Sequence, residues 1–235
     1  MANFRLFCAA LSALLLGVQT CLATNAPQGC NKLHSDDDWP SLEEWQNAIP
    51  GVVKENNSDS YGSLPDYRIR AKSYTDVQAA VKFSAEHKIR LTVLTTGHDE
   101  IGRNTAGSGL IIDISLLQRA RVSTSYNATT NGVKSLEPDE KAQYTSAVFM
   151  SQKQELSQLA GVSAAGGFGQ AGGYGPLTAQ YGLGVDQWLE AKIVTPDGQL
   201  MIANQVSNPD LFWAIRGGGG GTFGIVVEAT FKAYP

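Results

Sequence analysis

The glycine-rich run Ala165-Gly166-Gly167-Phe168-Gly169-Gln170-Ala171-Gly172-Gly173-Tyr174-Gly175-Pro176-Leu177 is the most constrained stretch of the chain. Within it, Gly167 to Gly172 matches the pattern GxGxxG literally. That fingerprint holds a dinucleotide only between a strand and a helix, where the helix N-terminus faces the pyrophosphate. Here Gly173, Gly175 and Pro176 follow at once, and no helix starts well through them. A nicotinamide-type Rossmann fold is therefore not expected. The run belongs to a wider cluster, because 16 of the chain's 25 glycines fall between Gly161 and Gly224. Backbone of that composition turns tightly or lies close against something. No GxxxxGK[ST], HExxH or GxSxG occurs, which removes the common phosphate-loop, zincin and hydrolase readings.

Downstream of the run the patterning is regular. Leu189, Ala191 and Ile193 alternate with Glu190 and Lys192 as in a strand, Pro196-Asp197-Gly198 turns the chain, and Leu200 to Ala203 return it as a hairpin. Ser207 or Asn208 then caps a short helix with Pro209 in its first turn, running through Leu211-Phe212-Trp213-Ala214. Gly217 to Gly221 end it. Ile225, Val227, Ala229 and Phe231 alternate with Val226, Glu228, Thr230 and Lys232, which predicts a half-buried strand.

Upstream, residues 67–115 read as strand, helix, strand, loop and strand. Thr75 with Gln78 forms a capping-box pattern, and Val77, Ala80, Val81, Ser84 and Ala85 recur at helical spacing. His87 and Lys88 close that helix, where positive charge is favoured. Ile89, Leu91 and Val93 alternate as a strand that ends at Thr95-Thr96-Gly97-His98-Asp99. Leu110 to Ile114 is almost wholly apolar, as a buried central strand is. Residues 116–160 are rich in Ser, Thr, Gln and Lys with weak periodicity, and are expected to form a flexible connection or a poorly formed lobe. Residues 24–60 are polar. Their run Asp36-Asp37-Asp38 lacks the spacing of calcium ligands and is expected to be a solvated loop before a short capped helix.

Length and composition bound the class. The 235 residues suit one large domain or two small ones packed together. A formal charge of −4 supplies no basic surplus for a phosphate backbone, so no nucleic-acid partner is expected. Arg5 precedes an apolar run from Leu6 to Val18 and then the small residues Cys21-Leu22-Ala23, the order of a secretory signal peptide spanning 1–23. The run is too short to span ~30 Å of hydrocarbon. A secreted protein without a membrane anchor is expected. Removing 1–23 also removes Cys8 and Cys21, leaving Cys30, so no internal disulfide is expected. The sequons at Asn56 and Asn127 suit the same compartment as glycosylation sites.

His98 is the histidine placed for chemistry, since it sits in a tight turn between Gly97 and Asp99. Successive N–H groups of such a turn form a nest for phosphate oxygens, or the histidine only hydrogen-bonds its own loop. Thr96-Gly97-His98-Asp99 followed by Gly102-Arg103 resembles the flavin-attachment loop of fungal secreted FAD-linked oxidases with a PCMH-type FAD-binding domain. These form the berberine-bridge-enzyme-like and vanillyl-alcohol-oxidase-like group. Ala165 to Leu177, Tyr181-Gly182-Leu183-Gly184-Val185-Asp186-Gln187, and Asn208 to Arg216 running into Gly217–Gly224 resemble the same family in order and spacing.

The resemblance implies an α+β fold, a PCMH-type FAD-binding domain over 61–235. Its two subdomains would cover about 61–121 and 161–235, joined by an atypical connection at 122–160. FAD would lie between them. By resemblance Thr95, Thr96, Gly97, His98 and Asp99 cradle the pyrophosphate, and Gly102 also belongs to the cofactor-binding residues. His98 carries the covalent bond to the flavin, and Gly166, Gly167, Gly172 and Gly173 let backbone approach it. Gly224 and Ile225 contact it from the last strand. Leu159-Ala160-Gly161-Val162 offers no cysteine for a second linkage. The family's substrate domain would follow Pro235, so the substrate domain is expected to be absent and the catalytic residues unknown. The implied chemistry is hydride transfer from a C–H next to O or N of a small-molecule substrate to flavin N5, then reoxidation by O2. The alternative is a non-catalytic flavin-binding remnant, or the partner of a complementing chain.

Overall fold

The computed structural model describes residues 30–55, 64–99, 101–105, 107–117, 123, 125–135, 163–232 and 234. Residues 1–23, expected to be a signal peptide, and the expected glycosylation site Asn56 lie outside the described residues, as does most of the 122–160 connection.

Ser41 opens helix α1, Leu42–Ala48, through a reciprocal cap with Glu44. Its purpose is to deliver Trp45, which is fully buried and stacks on Tyr67 at a centroid distance of 4.1 Å. Strand β1, Val53–Lys54, pairs antiparallel with β2, Tyr67–Arg70. Helix α2, Tyr74–Glu86, crosses to β3, Arg90–Leu94, and a loop leads to β4, Gly109–Asp113. The order β1-β2-β4-β3 places β4 between two parallel neighbours. That explains its apolar sequence: every residue of β4 is buried.

The α2 cap differs from the sequence expectation. Ser73, not Thr75, is the N-cap: its Oγ accepts from the Asp76 N–H at 3.3 Å, and Asp76 Oδ2 accepts from the Ser73 N–H at 3.1 Å. Gln78 is thereby released from capping and donates to the Gly198 carbonyl at 2.8 Å, a contact across 120 residues.

The second half begins with one-turn helices α3, Gly167–Gln170, and α4, Thr178–Tyr181, and a 3₁₀ turn at Gly184–Gln187. The glycine run thus does start a helix, but one that stops after a single turn where Gly172 and Gly173 take positive φ. Strands β5, Trp188–Val194, β6, Leu200–Asn204, and β7, Ile225–Phe231, form an antiparallel sheet in the order β6-β5-β7. Helix α5, Pro209–Ala214, packs Phe212 on it. Asn208 is its N-cap by position only, because its side chain donates to the Ile202 carbonyl instead.

Strict alternation fails in β5 and β7 for a local reason. Register shifts between Trp188 and Glu190 and between Lys192 and Ile193 mark β-bulges. As a result Val226, Ala229 and Phe231 pack in one cluster with Trp188 and Ile193, while Ile225 and Val227 join the other. That second placement matters, since Val194 and Ile225 enter the core built by the first sheet, Trp45 and α2. The two sheets are joined by shared core.

Glu190 and Lys192 are buried, 1% and 4% exposed, where an alternating hairpin would leave them outside. Residues 125–135 cover them. Val133 N–H donates to Glu190 Oε1 at 2.8 Å, Asn204 Nδ2 donates to Glu190 Oε2 at 2.9 Å, and Tyr126 OH donates to the Leu189 carbonyl at 3.0 Å. Lys192 Nζ donates to Glu228 at 2.7 Å and to Ser135 at 2.8 Å. This part of the expected flexible connection is a strap that satisfies buried charge.

Candidate functional site

A cleft of about 1050 Å³ runs between the two sheets, at the upper end of the range for small-molecule sites. One wall is the turn after β3. Leu94 ends the strand, Gly97 takes φ +81, and the chain bends so that Thr95 through Asp99 all line the cleft. His98 is exposed within it. Asp99 stays in its own loop, where Arg103 Nε donates to its Oδ2 at 2.9 Å and the Ile101 N–H to its Oδ1 at 3.3 Å. The neighbouring guanidinium holds the Asp99 carboxyl below the usual carboxylate range.

The facing wall is made of two glycine segments held together by one residue. Gln170, 5% exposed, uses its carbonyl to accept from the N–H groups of Gly217 at 2.8 Å and Gly219 at 3.3 Å. Its side-chain amide donates to the Ala165 carbonyl at 2.9 Å. Gly166, Gly167, Gly224 and Ile225 line the cleft. Gly102, Gly172 and Gly173 do not. Gly102 donates to the Asp99 carbonyl, while the Gly172 and Gly173 carbonyls accept from Val185 and Gly184. These three shape loops behind the cleft. Gly218 to Gly221, Thr222 and Gln170 line it without having been singled out. The five-glycine run was a visible signal for the first four, but it reads equally well as a helix terminator.

The residues present suit a nucleotide-bearing cofactor such as FAD. Among the described residues, no protein acceptor takes the N–H groups of Gly97, His98, Gly220 or Gly221. Such groups, two on each wall, are the donors a pyrophosphate needs. A Cβ on Gly167 or Gly221 would meet nothing within 4 Å, so the backbone there is open to a ligand. Ser84 and Thr92 also line the cleft, and their hydroxyls are buried beneath its surface without a protein partner.

Comparison with known proteins agrees with this geometry. The family model for an FAD binding domain matches residues 65–204, more than half of the chain. The chain is 35% identical over 196 residues to the FAD-linked oxidoreductase phmC of Phaeosphaeria nodorum, covering 79% of this chain and 45% of that protein. It is 39% identical over 181 residues to the FAD-linked oxidoreductase easE of Claviceps purpurea, covering 74% and 38%. The chain therefore spans less than half the length of these relatives. Among solved structures, the VAO-type flavoprotein MtVAO615 of Myceliophthora thermophila shares the fold, with a TM-score of 0.68 at 23% identity over 86% of this chain and 49% of that one. The 6-hydroxy-D-nicotine oxidase of Arthrobacter nicotinovorans gives a TM-score of 0.55 at 26% identity, covering 79% and 42%. With its cleft walled by the His98 turn and the paired glycine segments, the chain belongs to the FAD binding domain family, and FAD is its cofactor.

Proposed function

We propose that this chain is the cofactor-holding part of an oxidase-type FAD-linked oxidoreductase, secreted and glycosylated. The observation that carries the reading is the cleft, where the His98 turn faces Gly166–Gly167 and Gly218–Gly221. When bound, FAD supplies two-electron chemistry, accepting a hydride from a substrate C–H next to O or N and being reoxidised by O2. The chain's own contribution is binding and orientation. Thr95 to Asp99 and the Gly220–Gly221 backbone hold the pyrophosphate by N–H donors. The His98 imidazole stands in the cleft as the side chain for a covalent flavin bond.

The relatives named as FAD-linked oxidoreductases support the reaction class, and the solved neighbour named an oxidase supports O2 as the electron acceptor. The apolar run at Leu6–Val18 supports secretion. Exposed Asn127, at the start of a sequon on the strap, supports glycosylation.

The deciding experiment loads the full chain with FAD and compares it with His98→Ala. Flavin absorbance that persists through denaturation and gel electrophoresis in the parent, and is lost in the variant, supports the linkage. Equal in-gel flavin fluorescence in both rules it out. A broad panel of alcohols, sugars and amines with peroxide detection then tests turnover. Flavin uptake with little or no substrate-dependent peroxide is the expected result for a cofactor-holding part, and turnover of about 1 s⁻¹ or faster, within the usual enzyme range, would show instead that this chain is an active enzyme by itself.

A further inference from the structure

One carboxylate lines the cleft among the described residues, and it lies in the His98 turn. The other ionisable side chains lining the cleft are Cys30, Lys88, His98 and Arg103. The carboxylate belongs to Asp99, whose side chain is 20% exposed, and its counter-ion Arg103 is 75% exposed. The pair is two-pronged: Arg103 Nε lies 2.9 Å from Oδ2 and Nη2 lies 3.3 Å from Oδ1. Asp99 also builds its turn, since its carbonyl accepts from the Gly102 N–H at 3.1 Å and its Oδ1 from the Ile101 N–H.

This turn contains a conflict. A carboxylate suits it because backbone N–H groups need an acceptor, yet the same charge repels a dianionic pyrophosphate. Like charges about 6 Å apart, at an effective dielectric of about 20, repel enough to change a binding constant roughly a hundredfold. We infer that Arg103 is a positioning residue that neutralises Asp99, so that the His98 turn keeps its carboxylate-built shape while presenting no net negative charge to the cofactor's pyrophosphate. The inference rests on the FAD reading of the cleft. Two of the guanidinium's five N–H donors are committed to that carboxylate, and the double variant separates this role from a direct contact with phosphate.

The test uses the full chain and measures binding of FAD and of ADP, which carries the diphosphate but forms no flavin bond. Four proteins are compared: the parent, Arg103→Gln, Asp99→Asn and the double variant, each first checked for an unchanged melting curve. An exposed ion pair contributes little to folding, so all four are expected to fold. Arg103→Gln is expected to weaken both ligands by about tenfold or more. Its binding should improve with added salt, which screens the bare Asp99, whereas parent binding should not. Asp99→Asn is expected to bind at least as tightly as the parent. The double variant is expected to return to within about threefold of it, since no net charge is left in the turn.

Two patterns overturn the inference while leaving the FAD reading intact. A double variant as weak as Arg103→Gln makes Arg103 a direct phosphate ligand. Asp99→Asn weakened as much as Arg103→Gln makes the pair a turn-shaping device only. A parent that binds neither FAD nor ADP overturns the cleft reading, and this inference with it.

Discussion

The backbones of Gly167 and Gly220 touch. A Cβ on Gly220 would lie 2.9 Å from Gly167 Cα and 3.3 Å from its nitrogen. Two segments far apart in sequence are thus pressed together main chain to main chain, and that contact forms the wall of the cleft opposite His98. Glycine at 220 is required by proximity, not by an unusual φ.

Gly220→Ala is therefore expected to force the two segments apart. Because the obstacle is backbone and not the end of a flexible side chain, the cost should be about 1–3 kcal/mol, as for other overpacked sites. FAD uptake should fall with it. Gly167→Ala is the control, since its Cβ would meet nothing within 4 Å. Its melting temperature should stay close to that of the parent, and equal losses in the two variants would refute the close-contact account.

Gln170→Met removes the donor to the Ala165 carbonyl while keeping the side chain's length. Losing a part-buried hydrogen bond costs about 1 kcal/mol, and the Gln170 carbonyl that accepts from Gly217 and Gly219 loses the side-chain tie that fixes its position. Gln170→Glu separates shape from donation. Its ionised form sets oxygen against oxygen, but its protonated form restores the donor. Its thermal stability and flavin uptake should therefore recover as pH falls, whereas those of Gln170→Met should not.

On the far side of the second sheet, Gly132 takes φ +62, and a Cβ there would sit 2.6 Å from Glu190 Oε1. Gly132→Ala should displace the strap from the buried carboxylate and lower stability by about 1–3 kcal/mol through combined strain and crowding. Chemical denaturation of both proteins measures it. An unchanged midpoint would show that the strap is not held by Glu190.

Tyr126 supplies a pH signature for the same strap. Burial, and then the Glu190 charge, push its phenol up to about 12 from the ordinary value of 10.0. A raised folded-state pKa favours the neutral form in the folded protein. Its stabilising effect is fully present below the unfolded pKa, near 10, and is lost as pH rises through about 12. Tyr126→Phe should cost stability near neutral pH through the lost hydrogen bond to Leu189, yet show a shallower decline between about pH 10 and 12. Parallel slopes in that window would remove Tyr126 as the titrating group.

Most elements were readable because their signals are local. Val77, Ala80, Val81 and Ser84 mark α2 by spacing, the apolar run from Leu110 marks the central strand, and Pro209 marks the start of α5. The α2 cap was misplaced because two overlapping hydroxyl-to-acid or hydroxyl-to-amide pairs fit the same motif. Ser73 pairs with Asp76, and Gln78 donates instead to Gly198, a partner 120 residues away. In the site, the His98 turn was legible as a tight turn at a strand end, and a role in holding flavin came only from the resemblance of Thr96-Gly97-His98-Asp99 and Gly102-Arg103 to a flavin-attachment loop. Gln170 was not, because its importance lies in three hydrogen bonds to Ala165, Gly217 and Gly219 that no spacing rule encodes.

By itself, then, the sequence determined the local backbone: which residues form helices and strands, where they stop, and where glycine makes tight turns or close approaches possible. These follow from propensity, capping and periodicity acting over a few residues. Tertiary structure alone decided what those approaches meet. Packing put Gly220 against Gly167, sent Ile225 into the first sheet's core through a bulge, and buried Glu190 beneath Val133, 57 residues before it. A buried carboxylate and an exposed one are the same residue in sequence. Only the arrival of N–H donors from a distant segment offsets the cost of removing that charge from water, and that arrival is a property of the whole fold.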